Sequence, residues 1–320
     1  MTIDCFYQLA PALAQGKTVI LATVVAVKGS VPREVGAKMI VYADGGTYST
    51  IGGGAGEAKV IRQALTVLAT GTKQIVEIDL SGAPQRETQG ICGGMMQILL
   101  ECWSDEHAIA LVNQIIDKLN SGYSTTLVTP FDAATPYLSQ NTIPTPTNAF
   151  VETLQPPPVL LIVGAGHVGE QLAKVANLIG FQVIIQDERP AWANPQRYPQ
   201  AAMIFNQPIS TVATQLAHHP QLYAALVTRG YQYDLAALEV LLKRELPCRY
   251  IGTIGSEKRV RQVLQALEKI GVSETQLQNL YAPIGLDIGA LTPAEIAVSI
   301  AAELILVHRG GTGRPLSTLR

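Results

Sequence analysis

Hydrophobic positions along the chain fall into two textures, one in each half. TVILATVVAV (18–27) is an unbroken apolar, β-branched run that predicts a buried strand, and it leads into the turn-rich KGSVPREVG. AKMIVYA and residues 47–51 flank Asp44-Gly45-Gly46, a hairpin signal. Ile61, Ala64, Leu65 and Leu68 recur at helical spacing within 55–70, as do Ile109, Val112, Ile116 and Leu119 within 106–120. TKQIVEIDL and MMQILLECW read as strands separated by a polar loop, and YSTTLVTPF closes the half as another. Residues 1–131 are therefore expected to form a mixed α/β domain.

Residues 132–158 break the pattern. They are rich in Pro, Thr, Asn and Gln and end in three consecutive prolines, which predicts an extended interdomain linker. From 159 onward strand and helix alternate: VLLIV, helix 167–179, FQVIIQ, AAMIF, helix 209–219, YAALVT, helix 234–244, CRYIGTI, helix 256–270. Such alternation implies right-handed crossovers and a Rossmann-like, doubly wound parallel sheet over residues 159–320. Thr292-Pro293-Ala294-Glu295 announces a last helix, with a capping box and a first-turn proline. Its stripe of Ile296, Ile300, Ala301, Leu304 and Val307 needs a partner surface, and a second copy of the chain is one expected answer.

Composition narrows the class. Of 320 residues 48% are hydrophobic and 15% charged, with a net charge of −2, which suits two buried cores. No Lys/Arg block is present, so neither nucleic acid nor an anionic membrane is an expected partner. MTIDCFYQLA has no basic region of a signal peptide, and no run approaches the ~18 apolar residues of a membrane helix. The four cysteines form no C-x-x-C pair, so a reduced, cytoplasmic protein without structural zinc or disulfides is expected.

Candidate chemistry gathers at glycines. Gly164-Ala165-Gly166-His167-Val168-Gly169 follows a strand and opens a helix, and Asp187 ends the next strand. That order predicts a dinucleotide site: a tight turn, backbone N–H groups facing a pyrophosphate, tight helix packing, and an acid on the ribose. The acid favours NAD over a 2′-phosphorylated relative, and His167 reads either as a packing residue or as a participant. In the first half, Ser30 and Arg33 lie in a strand-to-turn segment suited to phosphate or carboxylate. Gly52, Gly53 and Gly54 precede a helix and offer donors to an anion or simply make a close turn. Gly255 and Ser256 open another helix, and Gly285 and Asp287 lie in a glycine-punctuated loop. Both segments should sit at the carboxyl edge of the parallel sheet, where Asp287 would act as ligand or base, or brace the loop.

These segments resemble one family. GSVPREVGAKM, DGG…STIGGGAGE and ICGGMMQI are similar to the N-terminal XdhC/CoxI domain. LLIVGAGHVG, YIGTIGSEKR and PIGLDIGALTPAEIAVSIAAELI resemble the XdhC Rossmann domain, in the family's order over nearly the whole chain. The resemblance implies a chaperone for molybdenum cofactor, as molybdopterin or its cytosine dinucleotide form. It implies that the chain protects the cofactor during sulfuration and inserts it into an apo molybdenum hydroxylase of the xanthine dehydrogenase or CO dehydrogenase type. A cysteine desulfurase or other sulfur donor would be a further partner, and the chain itself would have no turnover chemistry. Cys92, in a loop before Gly93-Gly94, is the cysteine expected to touch the cofactor as a soft ligand. The sequence departs from many relatives at Thr228-Arg229-Gly230-Tyr231-Gln232-Tyr233-Asp234, where they carry histidines; Arg229 with two tyrosines suits a planar, phosphate-bearing pterin. An NAD-dependent oxidoreductase and a regulatory scaffold whose nucleotide site has decayed are the alternatives.

Overall fold

Alternation in the first long strand determines how the first half is layered. The computed structural model describes residues 2–80, 93–139 and 147–318, and the chain divides into two units, Met1–Pro156 and Pro157–Arg320. In the first unit α1 (Thr2–Ala14) precedes β1 (Val19–Lys28), β2 (Lys38–Tyr42), β3 (Thr47–Ser49), α2 (Gly54–Thr70), β4 (Gln74–Asp79), β5 (Met95–Trp103), α3 (Glu106–Asn120) and β6 (Thr125–Pro130). Val19 and Leu21 of β1 pack with α1 and α3, whereas Ile20, Ala22 and Val24 pack with α2. Period-two alternation thus feeds two cores, one on each face of the antiparallel sheet β3-β2-β1-β5-β4. The α2 face is turned from the expected one: Val60, Ala64 and Val67 are buried, while Leu65 is exposed.

The segment expected to be a linker is largely part of this unit. β7 (Tyr137–Leu138) and β8 (Ala149–Leu154) flank β6 in a second antiparallel sheet. In A-F-V-E-T-L, Phe150 and Leu154 are buried, and Glu152 lies between them on the same face of the strand. Leu154 joins the α1/α3 core. Glu152 lies 2.5 Å from the Nζ of Lys38, a lysine only 1% exposed and set between the rings of Phe6 and Phe150. A buried lysine needs its counter-charge close by, so β8 completes the first core. The division between the two units falls within the proline tract at 156–158.

The second unit contains β9 (Val159–Val163), α4 (His167–Leu178), β10 (Gln182–Gln186), β11 (Met203–Phe205), α5 (Ile209–Gln215) and β12 (Leu222–Leu226). α6 (Tyr231–Leu241), β13 (Tyr250–Thr253), α7 (Glu257–Lys269), α8 (Glu274–Gln278) and α9 (Pro293–Arg309) follow. The sheet is parallel in the order β11-β10-β9-β12-β13, as the strand–helix alternation predicts. α4 and α9 cover one face, and α5, α6 and α7 cover the other. Tyr281 adds a parallel bridge beside Gly252, which carries the chain along the edge of β13.

Helix α9 begins with the expected capping box: the Thr292 hydroxyl accepts from Glu295 N–H, and the Glu295 carboxylate accepts from Thr292 N–H. Its Ile300, Ala301 and Leu304 are buried, with Ile300 and Leu304 in the α4 core. The stripe that pointed to a second copy is therefore covered within the unit. α6 starts three residues before its expected position, because Gly230 N-caps it and Tyr231 is already helical. Among the described residues no helix is long and apolar enough to cross a membrane.

Candidate functional site

Strand order places the crevice of a doubly wound sheet beside β9, whose neighbours β10 and β12 run to opposite sides. The three glycines after β9 have separate roles there. Gly164 has φ +107°, and a Cβ on it would fall 2.7 Å from the Val227 carbonyl oxygen. Gly169 faces the Gly164 carbonyl so closely that a Cβ would lie 2.4 Å from its oxygen, which is how α4 approaches β9. Gly166 caps α4 without a side chain, and a Cβ there would meet nothing within 4 Å. The first turn of α4 is therefore open to an incoming anion at Gly166 and closed by packing at the other two. His167 is exposed and sets its ring edge-on to Trp192, with centroids 5.7 Å apart.

Asp187 closes this turn and is itself enclosed. Its Oδ2 accepts from Ala165 N–H at 2.9 Å and from Arg189 Nη2 at 2.7 Å. Its Oδ1 accepts from Arg189 Nε at 2.8 Å and from Arg189 N–H at 3.1 Å. Burial pushes this carboxyl up, but the Arg189 guanidinium and the backbone donors outweigh it and hold the group below the usual aspartate range. The expected repulsion of a 2′-phosphate by Asp187 is thus offset by a paired cation. Across the crevice, the guanidinium of Arg229 covers the Tyr233 ring at 4.6 Å from its centroid and bonds the Tyr233 hydroxyl. Tyr233 is 44% exposed and lines the crevice with Arg189 and Arg229. Tyr231, the other tyrosine expected there, packs instead against the α5–α7 core.

Behind Arg229 lies a clip that sequence reasoning missed. Asp234 is fully buried and meets Arg259 at 2.7 Å from Nε and 2.5 Å from Nη2, while Thr228 Oγ1 donates to it at 2.6 Å. Burial raises the Asp234 carboxyl above its ordinary value in spite of these partners. Ser256 caps α7 by accepting from Arg259 N–H at 3.4 Å. Gly255 and Ser256 thus position the arginine that ties α7 to the end of β12. Gly285, with φ +99°, donates its N–H to Glu303 at 2.9 Å, and a Cβ on it would lie 2.4 Å from Ser299 Oγ. Ile284 N–H bonds Thr253 O, so this loop does run beside the carboxyl end of β13, and Asp287 is exposed on it.

In the first unit three separated motifs abut. A Cβ on Gly52 would lie 2.4 Å from Pro32 Cγ, and one on Gly94 would lie 2.3 Å from Ser30 O. Gly29 similarly faces Gly93 O at 3.2 Å. Ser30, the half-buried Arg33, the turn 51–54 and Gly93-Gly94 therefore share one end of the sheet. The turn already holds an anion: Glu57 Oε2 accepts from Thr50 Oγ1 at 2.5 Å and from the N–H groups of Ile51 and Gly53, each at 3.1 Å. The acid in the first turn of α2 is the sequence signal for that closure. Cys92 lies outside the described residues. Of the other cysteines, Cys5 is buried and Cys102 and Cys248 are half-buried. Burial pushes the Cys5 and Cys248 thiols up to about 11 and raises Cys102 as well, so all three stay protonated near neutrality. Among the described residues no group of three or more His, Cys, Asp or Glu side chains could hold a metal ion.

Comparison with known proteins agrees with this division. Residues 160–304 match the XdhC Rossmann domain, and residues 12–79 match the XdhC and CoxI family. The chain is 27% identical to a probable xanthine dehydrogenase subunit from Bacillus subtilis (strain 168), over 95% of this chain and 98% of that protein. It is 25% identical to the molybdenum cofactor insertion chaperone PaoD of Escherichia coli (strain K12), over 93% of this chain and 86% of that one. It is 26% identical to the uncharacterized protein YqeB of the same organism over 97% of its own length, but it spans only 47% of YqeB. A solved structure of a xanthine dehydrogenase from Bacillus halodurans superposes with a TM-score of 0.82 at 26% identity, covering 100% of this chain and 99% of that one. With both family models matched in order and both units superposable on one relative, the chain belongs to the XdhC and CoxI family.

Proposed function

We propose that this chain is an accessory protein that binds molybdenum cofactor, supports its sulfuration and inserts it into a xanthine dehydrogenase- or CO dehydrogenase-type hydroxylase. The observation that carries the reading is the likeness to a molybdenum cofactor insertion chaperone over 93% of this chain. The crevice of the second unit suits such cargo: Gly166 leaves the first turn of α4 open, and Arg189, Arg229 and Tyr233 line the crevice. Backbone N–H groups at Gly166 would take a phosphate or pyrophosphate, and Tyr233 would lie against a planar ring. The chain's part is to bind and orient the cofactor and to exclude water, and the cofactor supplies its own redox chemistry to the hydroxylase. Cys92 would supply a thiolate, soft enough for a polarisable metal centre or for accepting a persulfide sulfur. A cysteine desulfurase or similar donor would provide that sulfur, in the cytoplasm.

The test is activation of an apo-hydroxylase by cofactor and sulfur donor, with and without the chain. Activation should rise when the wild-type chain is added, and the Cys92→Ser variant should lose the sulfur-dependent part while melting as the wild type does. Equal activation with and without the wild-type chain would reject the accessory role. Full activation by Cys92→Ser would remove only the cysteine from it.

A further inference from the structure

We infer that the far end of the crevice in the second unit binds a ribose carrying a 2′-phosphate, as in a 2′-phosphoadenosine nucleotide, in preference to a free ribose diol. This inference concerns the same crevice to which the cofactor's phosphate is assigned above, and it is tested with nucleotides that carry neither pterin nor molybdenum.

In a site of this topology the strand-end acid normally accepts from the ribose hydroxyls. An ionised carboxylate offers about four acceptor positions. Here Asp187 receives four donors: the N–H groups of Ala165 and Arg189, and Nε and Nη2 of Arg189. A ribose hydroxyl would have to displace one of them. What Asp187 presents to the crevice is the guanidinium it holds in place, whose side chain is 32% exposed. Trp192 braces the same group, with the Arg189 guanidinium carbon 5.0 Å from the ring centroid.

Arg229 supplies a second guanidinium on the wall that carries Tyr233. Arg189 lines the same crevice. Arg229 covers one face of the Tyr233 ring, which is 44% exposed; a base against the other face and a phosphate at the guanidinium groups would match this arrangement, since guanidinium groups bind phosphate through paired N–H donors. One group opposes the reading. Glu188 also borders the crevice, and its carboxylate is the remaining acid that a ribose diol could use.

The discriminating experiment is calorimetry with 2′,5′-ADP and 5′-AMP on the full chain. These probes share the base and the 5′-phosphate, which the glycine turn would hold, and differ only at the 2′ position. The wild type should bind 2′,5′-ADP about tenfold or more tightly than 5′-AMP, the usual worth of one charge-assisted contact. Arg189→Ala should abolish or reverse that ratio, because it removes the cation and returns Asp187 to the ribose, and a melting curve should show the variant folded. Equal or tighter binding of 5′-AMP by the wild type would overturn the inference, and its loss in Glu188→Gln would assign the ribose to Glu188. An Arg189→Ala ratio equal to the wild-type ratio would overturn it as well. Binding of neither nucleotide would also overturn it, while leaving the cofactor-chaperone reading untouched.

Discussion

Arg259→Ala should lower the melting temperature by roughly 10 °C. The arginine is the counter-charge of Asp234, which is fully buried at the start of α6. Removing one partner of a buried pair typically costs about 3–5 kcal/mol, because the other charge is left without compensation. For a unit of this size each kcal/mol moves the midpoint by about 2–4 °C. The pH dependence follows from the raised Asp234 carboxyl. A carboxyl raised by folding stabilises the native state fully below its unfolded value, near 4, and that contribution is lost as pH rises through the folded value. Without Arg259 the carboxyl rises further, since the guanidinium was lowering it. The deficit relative to wild type should therefore be larger at pH 8 than at pH 5. Adding Asp234→Asn to the variant should recover part of the loss. Thermal denaturation across pH checks each point, and a deficit that does not change with pH would mean that lost packing, not charge, is responsible.

The second large effect separates two glycines of one motif. Gly169→Val places side-chain atoms against the Gly164 carbonyl, a backbone neighbour that cannot swing aside. Overpacking of this kind costs about 1–3 kcal/mol or more, and α4 must move away from β9. Gly166→Val meets no neighbour within 4 Å at its Cβ, so its cost should be about 1 kcal/mol, the scale of a lost helix cap. Its branched side chain nonetheless covers the turn where a phosphate would approach. Affinity for molybdopterin cytosine dinucleotide or NAD should fall on the order of a hundredfold, the worth of one or two charge-assisted hydrogen bonds. Calorimetry and melting on both variants distinguish the roles: a folded Gly166→Val that binds normally would remove this turn from the site.

Local chemistry was legible in the sequence, and long-range pairing was not. Strand–helix alternation, the glycine turn after VLLIV and the Thr292–Glu295 capping box depend on residues a few positions apart, and each is found where the pattern puts it. β8 was hidden because proline and threonine dominate residues 132–158 as a whole, whereas its Phe150, Glu152 and Leu154 alternate only over six residues. Its necessity lies in Lys38, 114 positions away, which no local window contains. Asp234 and Arg259 are likewise 25 positions apart and meet only because β12 and β13 are neighbours. Two site features were within reach. Asp187 and Arg189 are two residues apart, and Glu57 stands in the first turn after the glycines; both acids serve the chain's own donors before any ligand arrives. The strand–helix order thus placed the turns of the second half at the carboxyl edge of its sheet, but it did not bring together the turns of the first half or show which donors were already occupied.

The cofactor-binding claim is tested most directly by purifying the full chain from cells that make molybdenum cofactor and measuring pterin and molybdenum in the same fractions. The proposed role requires both to elute with the folded protein in equal amounts, and to be reduced together in Gly166→Val if the glycine turn is the phosphate site. Folded wild-type protein that elutes with neither pterin nor molybdenum, from cells shown to contain the cofactor, would contradict it.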